Sequence, residues 1–158
     1  MELQLFGINH KTTRLSKREL FIINDSNQED FKNFILTTFQ SSIESFFALS
    51  TCNRTEVYLY AEPLIAKQVM DQTAEFLGCS SVVEQDFYIL EGINAIEHMC
   101  SVASGLDSQV LGENEILGQF KKSIQSFVEL DVLDNTLKRI TDEIISITKA
   151  VRTQTKIG

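Results

Sequence analysis

Ile43-Glu-Ser-Phe-Phe-Ala-Leu-Ser-Thr-Cys-Asn-Arg-Thr-Glu-Val-Tyr-Leu-Tyr60 decides how the first part of the chain folds. Phe46, Phe47 and Leu49 mark Ile43–Ser50 as one strand. Val57 and Leu59, on one side of Arg54–Tyr60, mark a second. Thr51, Cys52 and Asn53 alone separate them, so Cys52 falls in a tight connection at the end of a sheet. Asn53 suits the left-handed backbone that such a turn often requires.

Working outward, Glu2–Leu5 alternates polar and apolar residues as a half-buried strand does. Phe31, Phe34, Ile35 and Phe39 predict a helix over 27–40. Pro63 opens a second helix carrying Ile65, Val69, Phe76 and Leu77, closed by Gly78. Phe87–Leu90 is a further short strand. The order β-α-β-β-α-β predicts an α+β chain whose residues 1–91 form a ferredoxin-like split arrangement.

After Gly92 the period is helical throughout. Ile93, Ile96, Met99, Cys100 and Ala103 predict one helix, with Cys100 in the core. Ile116, Leu117, Phe120, Ile124, Phe127 and Val128 predict another. Leu137, Ile140, Ile144, Ile147 and Val151 recur at 3-4 spacing, a long helix capped by Asp134 with a narrow apolar seam. That seam needs a partner, from the neighbouring helices or another chain. Residues 92–158 are therefore expected to form an antiparallel helical subdomain. Its long last helix reads as a linker, and the chain stops directly after it, as a piece of a longer protein would.

The 158 residues are 43% hydrophobic and 23% charged, a globular composition. No apolar run approaches the ~18 residues of a spanning helix, and no basic-apolar leader opens the chain. A cytoplasmic protein without a membrane segment is expected. Three well-separated cysteines, Cys52, Cys79 and Cys100, argue against a disulfide framework. With two histidines and no Cys-x-x-Cys, a zinc site lacks its ligands, and no metal is expected.

The net charge of −8 excludes a general, sequence-blind nucleic-acid binder. The imbalance is local, however. Residues 61–120 hold ten acidic groups against one basic, while Lys11, Arg14, Lys17 and Arg18 gather near the start and seven basic groups follow residue 120. A structured RNA touched by a basic edge stays open.

Cys52 is either a nucleophile or a small buried hydrophobe. The thiolate is the reactive form, and a cation such as Arg54 alongside would favour it. The polar surround of Ser50, Thr51, Asn53 and Arg54 suits the first reading. Cys79 reads as a loop residue without a role. His10 and His98 read as ordinary strand-end and helix-edge histidines. The run Ser101–Gln119 is rich in small and polar residues, which suits either a capped linker or the wall of a pocket. It contains neither G-x-G-x-x-G nor G-x-x-x-x-G-K-[ST], so phosphate cradling is not supported.

Three stretches together resemble glutamyl-tRNA reductase. They are Gly7-Ile-Asn-His-Lys-Thr12, Leu49-Ser-Thr-Cys-Asn-Arg-Thr-Glu56, and Val102–Ser108 continuing through Leu111-Gly-Glu to Ile116-Leu-Gly-Gln119. The closing Val151–Gly158 is similar to that family's sequence at the end of its catalytic domain. The resemblance implies NADPH-dependent reduction of glutamyl-tRNA(Glu) to glutamate-1-semialdehyde, for tetrapyrrole synthesis. It implies that Cys52 takes the glutamyl group as a thioester, with His98 as the histidine needed near it. It places Thr51, Asn53, Arg54, Ser108, Glu113, Asn114, Glu115 and Gln119 around the substrate's glutamate. Arginine suits a carboxylate because its planar fork can bind both oxygens.

Two departures stand out. Family members commonly carry Gln at the position of Glu115, and Ala-Pro at Thr13-Arg14. The family's NADPH-binding domain would follow Gly158, so this chain alone is expected to lack the reduction step, and a homodimer is expected of the full-length enzyme. The competing reading is a non-catalytic domain that binds charged tRNA or a pathway partner.

Overall fold

The computed structural model describes residues 1–79, 81–82, 84–107 and 115–155. Four strands form one antiparallel sheet: β1 (Glu2–Asn9), β2 (Ile43–Ser50), β3 (Arg54–Ala61) and β4 (Tyr88–Glu91). Their order across the sheet is β2-β3-β1-β4, the ferredoxin-like arrangement read from the sequence. The helices are α1 (Leu15–Arg18), α2 (Gln28–Phe39), α3 (Ala66–Phe76), α4 (Gly92–Ser104), α5 (Glu115–Glu129) and α6 (Asn135–Thr155).

Both faces of the sheet are covered. On one, Phe31 of α2 meets Phe46 edge-on at 6.0 Å, and Phe76 of α3 stacks on Phe34 at 4.7 Å. On the other, Phe120 of α5 packs against the stacked pair Phe47 and Tyr58, whose rings lie 4.5 Å apart. The consequence is visible in β1. It was expected to be half-buried over residues 2–5, yet neighbours Leu5 and Phe6 are both fully buried and the strand runs to Asn9. A sheet sandwiched between two helical layers buries both sets of alternating side chains.

Other expectations shift by a few residues. The second helix begins at Ala66 and not at Pro63, because Leu64 adopts a left-handed φ of 62°. The fully buried Gln4 explains the start: its Oε1 accepts the Ala66 N–H at 3.0 Å, and its amide donates to the Glu62 carbonyl at 2.7 Å. Asn53 is not left-handed, and the short α1 carried no periodic signal. Cys79 is buried and donates to the Leu20 carbonyl at 2.9 Å, whereas Cys100 is half-buried and not fully in the core. At the start of α6 the Asp134 carbonyl accepts the Lys138 N–H at 3.4 Å, and Asn135 takes a left-handed φ of 48°.

The seam of α6 finds its partners within the chain. Leu137 and Ile144 are buried, chiefly against α4, while Ile147 is half exposed. Gly105 ends α4 with φ 82°, and the N–H of Leu106 closes back on the Ser101 carbonyl at 3.0 Å.

Candidate functional site

Cys52 sits exposed on the β2–β3 connection, and that turn is held from several sides. The Thr51 N–H donates to the Arg54 carbonyl at 2.8 Å, and the Asn53 N–H donates to Thr51 Oγ1 at 3.1 Å. Just past the end of β1, the His10 N–H donates to the Asn53 carbonyl at 2.9 Å. From α1, Arg18 Nη2 reaches the Cys52 carbonyl at 3.4 Å while its Nη1 donates to Thr13 at 2.7 Å. Asn9 Oδ1 accepts the N–H groups of Lys11 and Thr12, folding Gly7–Thr12 into a brace for the turn. A thiol on an exposed but rigid turn is presented, not packed away.

The alkylation order follows from burial. Burial pushes the thiols of Cys79 and Cys100 up, away from the reactive thiolate. Iodoacetamide under native conditions is expected to modify Cys52 at least roughly tenfold faster than either, read by peptide mass spectrometry. Equal rates would remove the presented-thiol reading.

Beneath the turn lies a buried polar network that the sequence did not announce. Strand register places Glu56 of β3, Gly7 of β1 and Tyr88 of β4 abreast on one face. Glu56 is fully buried and accepts hydrogen bonds from the hydroxyls of Tyr58 and Tyr88. It also pairs with His98 Nε2 from α4, and with Arg54 Nη1 at 3.5 Å. Arg54 is 1% exposed and forks onto Asp107, Nη1 to Oδ2 at 3.0 Å and Nη2 to the carbonyl. Lys11 closes the series on Asp107 Oδ1 at 2.7 Å.

Burial alone would raise the Glu56 carboxyl, but His98, Arg54 and Tyr58 outweigh it and hold the group below the usual carboxylate range. Burial, then the Glu56 charge, push the phenols of Tyr58 and Tyr88 well above theirs, so both stay donors. An ionised Glu56 requires the hydrogen on His98 Nε2, which leaves Nδ1 for other work in the neutral ring. His10 is lowered by burial and by the cations Arg54 and Lys11.

Gly7 makes this packing possible. A Cβ there would lie 2.6 Å from the Thr55 carbonyl oxygen and 2.7 Å from Glu56 Cγ, contacts that real Cβ atoms do not make. Gly7→Ala is expected to cost about 1–3 kcal/mol of stability, measured by urea unfolding. An unchanged midpoint would show that the row has slack.

The residues expected around a substrate thus divide. Thr51, Cys52, Asn53 and Arg54 come together at the turn, and Arg54 links it to His98 through Glu56. The Arg54 fork is held by Asp107 and Glu56, and the guanidinium on the cysteine's own backbone is that of Arg18. Ser108, Glu113 and Asn114 lie outside the described residues. Glu115 and Gln119 are exposed on the first turns of α5, and Gln119 shares a cavity of about 470 Å³ with Ser50. Buried Arg54 Nε, Arg18 Nε and His10 Nδ1 find no hydrogen-bond partner among the described residues. Nor do the described residues gather three metal-ligating side chains.

The missed residues were Glu56, Tyr58, Tyr88, Asp107 and Arg18. Glu56 stood inside the quoted motif, but a charged residue alternating along a strand normally faces water. The signal would have been the second covered face.

Comparison with known proteins agrees throughout the chain. The family described as "Glutamyl-tRNAGlu reductase, N-terminal domain" matches residues 6–155. Glutamyl-tRNA reductase of Desulfotalea psychrophila is 36% identical over 160 residues, covering 98% of this chain and 36% of that protein. That of Pseudoalteromonas atlantica is 38% identical over 166 residues, covering 100% and 37%. The solved glutamyl-tRNA reductase from Methanopyrus kandleri superposes with a TM-score of 0.79 and 28% identity, over 96% of this chain and 34% of that one. The chain spans about a third of the length of these relatives.

Proposed function

The chain belongs to the glutamyl-tRNA reductase N-terminal domain family, and from that membership we propose that it performs the acyl-transfer half of the reaction on glutamyl-tRNA. The Cys52 sulfur attacks the ester carbonyl carbon, the carbon–sulfur bond forms, and the carbon–oxygen bond to the terminal ribose breaks. The ribose oxygen takes a proton and free tRNA leaves. A thioester accepts hydride more readily than an oxygen ester, so covalent transfer splits one hard step into two easier ones.

The observation that supports this most is the exposed thiol on a turn braced by β1 and α1. The buried Nε atoms of Arg54 and Arg18 add donors to the surroundings of that turn. Thr51, Asn53, Arg54, Ser108, Glu113, Asn114, Glu115 and Gln119 are proposed to surround the glutamyl group, and His98 to act near the thiol under the orientation set by Glu56. The finer assignments, tetrapyrrole supply and a cytosolic homodimer of the longer enzyme, belong to the same proposal.

NADPH would supply hydride to the thioester, but the residues present do not fit it. Every strand pair among the described residues is antiparallel, and the sequence has no glycine fingerprint opening a helix after a parallel strand. No hydride step is assigned to this chain. The nicotinamide is proposed to be held by the further sequence of the longer relatives.

The test is incubation with radiolabelled glutamyl-tRNA, with and without NADPH. Discharge through Cys52 to free glutamate is expected, at a rate indifferent to NADPH and without semialdehyde. NADPH-dependent aldehyde would overturn the division of labour. No discharge would favour a domain that only binds charged tRNA.

A further inference from the structure

Four donors converge on the Glu56 carboxylate, and its two oxygens share them unequally among the described residues. Tyr58 donates to Oε1. Tyr88 and His98 Nε2 both bond Oε2, with Arg54 Nη1 at 3.5 Å from the same atom. A carboxylate oxygen offers about two lone-pair sites. Tyr88 and His98 fill those of Oε2, and Arg54 stays at the outer limit of a hydrogen bond.

Tyr88 reaches that oxygen from across a strand. β1 lies between β3 and β4, so the backbones at Glu56 and Tyr88 are about two strand spacings apart, ~10 Å. Gly7 is the residue abreast of both. Having no side chain, it leaves the phenol a clear path over β1 to the carboxylate. The Tyr88 ring also flanks the His98 ring, with centroids 5.4 Å apart and planes at 56°. One side chain thus meets His98 twice, with its ring and through a shared oxygen.

The consequence falls on the imidazole. A buried acceptor left with an empty site is costly, and it draws the nearest donor. Without the Tyr88 hydroxyl that donor would be Arg54 Nη1, whose approach would pull Glu56 toward its own strand and off His98. With the hydroxyl in place, the hydrogen stays on His98 Nε2 and Nδ1 is a bare acceptor. Burial and the Glu56 charge hold the Tyr88 phenol well above its usual range, so it remains a donor. We infer that Tyr88 is a positioning residue for the acyl transfer, fixing His98 in the Nε2–H tautomer through the carboxylate oxygen they share. The inference rests on the reading that His98 acts near the thiol, and Tyr88 works only through Glu56 and His98.

Tyr88→Phe keeps the ring and removes the hydroxyl. Single-turnover labelling by radioactive glutamyl-tRNA is expected to slow at least tenfold at saturating RNA, with the half-saturating concentration unchanged within twofold. Tyr58→Phe removes a hydroxyl from the other oxygen, and its loss of rate is expected to be several times smaller. The tautomer is read separately from imidazole nitrogen-15 spectra. The chain has two histidines, His10 and His98, and His98→Asn assigns their signals. The unaltered chain is expected to show His98 with a protonated Nε2 and a bare Nδ1, and Tyr88→Phe to show a mixture of tautomers. Rate and tautomer both unchanged in Tyr88→Phe would overturn the inference, as would equal losses in the two tyrosine variants. Should Tyr88→Phe fail to fold, the unaltered chain still decides. Two donors on one oxygen bring their hydrogens within ~3 Å, so a nuclear Overhauser contact between the Tyr88 hydroxyl and the His98 Nε2 hydrogen is expected, and its absence would overturn the shared-oxygen geometry. A tautomer lost in Tyr88→Phe with transfer unchanged would support the hold of Tyr88 on the ring and count against the part given to His98.

Discussion

Cys52→Ser is expected to lower acyl transfer from glutamyl-tRNA by at least about a thousandfold while leaving the fold intact. Removing a catalytic nucleophile typically costs several orders of magnitude, with a residue of activity left to binding and electrostatics. A serine hydroxyl is nearly isosteric with the thiol but a far weaker nucleophile without a dedicated base. Cys52 is exposed, and the turn bonds involve backbone atoms and neighbouring side chains, so nothing in the packing depends on sulfur. The measurement is denaturing gel analysis of protein labelled by radioactive glutamyl-tRNA, with circular dichroism as the control for folding. Retained labelling of the serine variant would remove Cys52 from the chemistry.

Arg54→Met is expected to destabilise the protein by about 3–5 kcal/mol, the usual cost of leaving a buried charge without its partner. Arg54 and Glu56 are essentially without solvent contact, and Asp107 depends on Arg54 for two bonds. Methionine fills similar volume, so the loss is one of charge and not of packing. The dependence on pH gives the sharper test. Glu56 and Asp107 are both held below the usual carboxylate range, despite burial that would raise them. Their stabilisation is therefore complete above the unfolded carboxylate range, near pH 4, and is lost as pH falls through their lower folded values. In Arg54→Met part of that support is gone, so its deficit in melting temperature should shrink as pH falls from 7 to 3. A deficit constant across that range would mean that Arg54 acts by packing alone.

Local pattern carried much of the architecture. The strands at 43–50 and 54–61, the helix over 28–39 and the three later helices follow from periodicity, and four strands in that order restrict the sheet to few arrangements. The cysteine turn was legible too, since three polar residues between two apolar strands leave little else for the chain to do. The start of α3 was not, because the group that accepts the Ala66 N–H is Gln4, 62 residues earlier.

What the sequence by itself determined was a split sheet, a helical second half and a cysteine in the connection between two strands, because each depends on neighbours within a few residues; its exposure came from the structure. Tertiary structure alone decided the buried carboxylate. Glu56 becomes a buried anion only when α4–α6 cover its face of the sheet, Gly7 leaves room for it, and Tyr58, Tyr88, His98 and Arg54 converge from β3, β4 and α4. A side chain's solvation is a property of everything packed around it, and no local pattern encodes that sum.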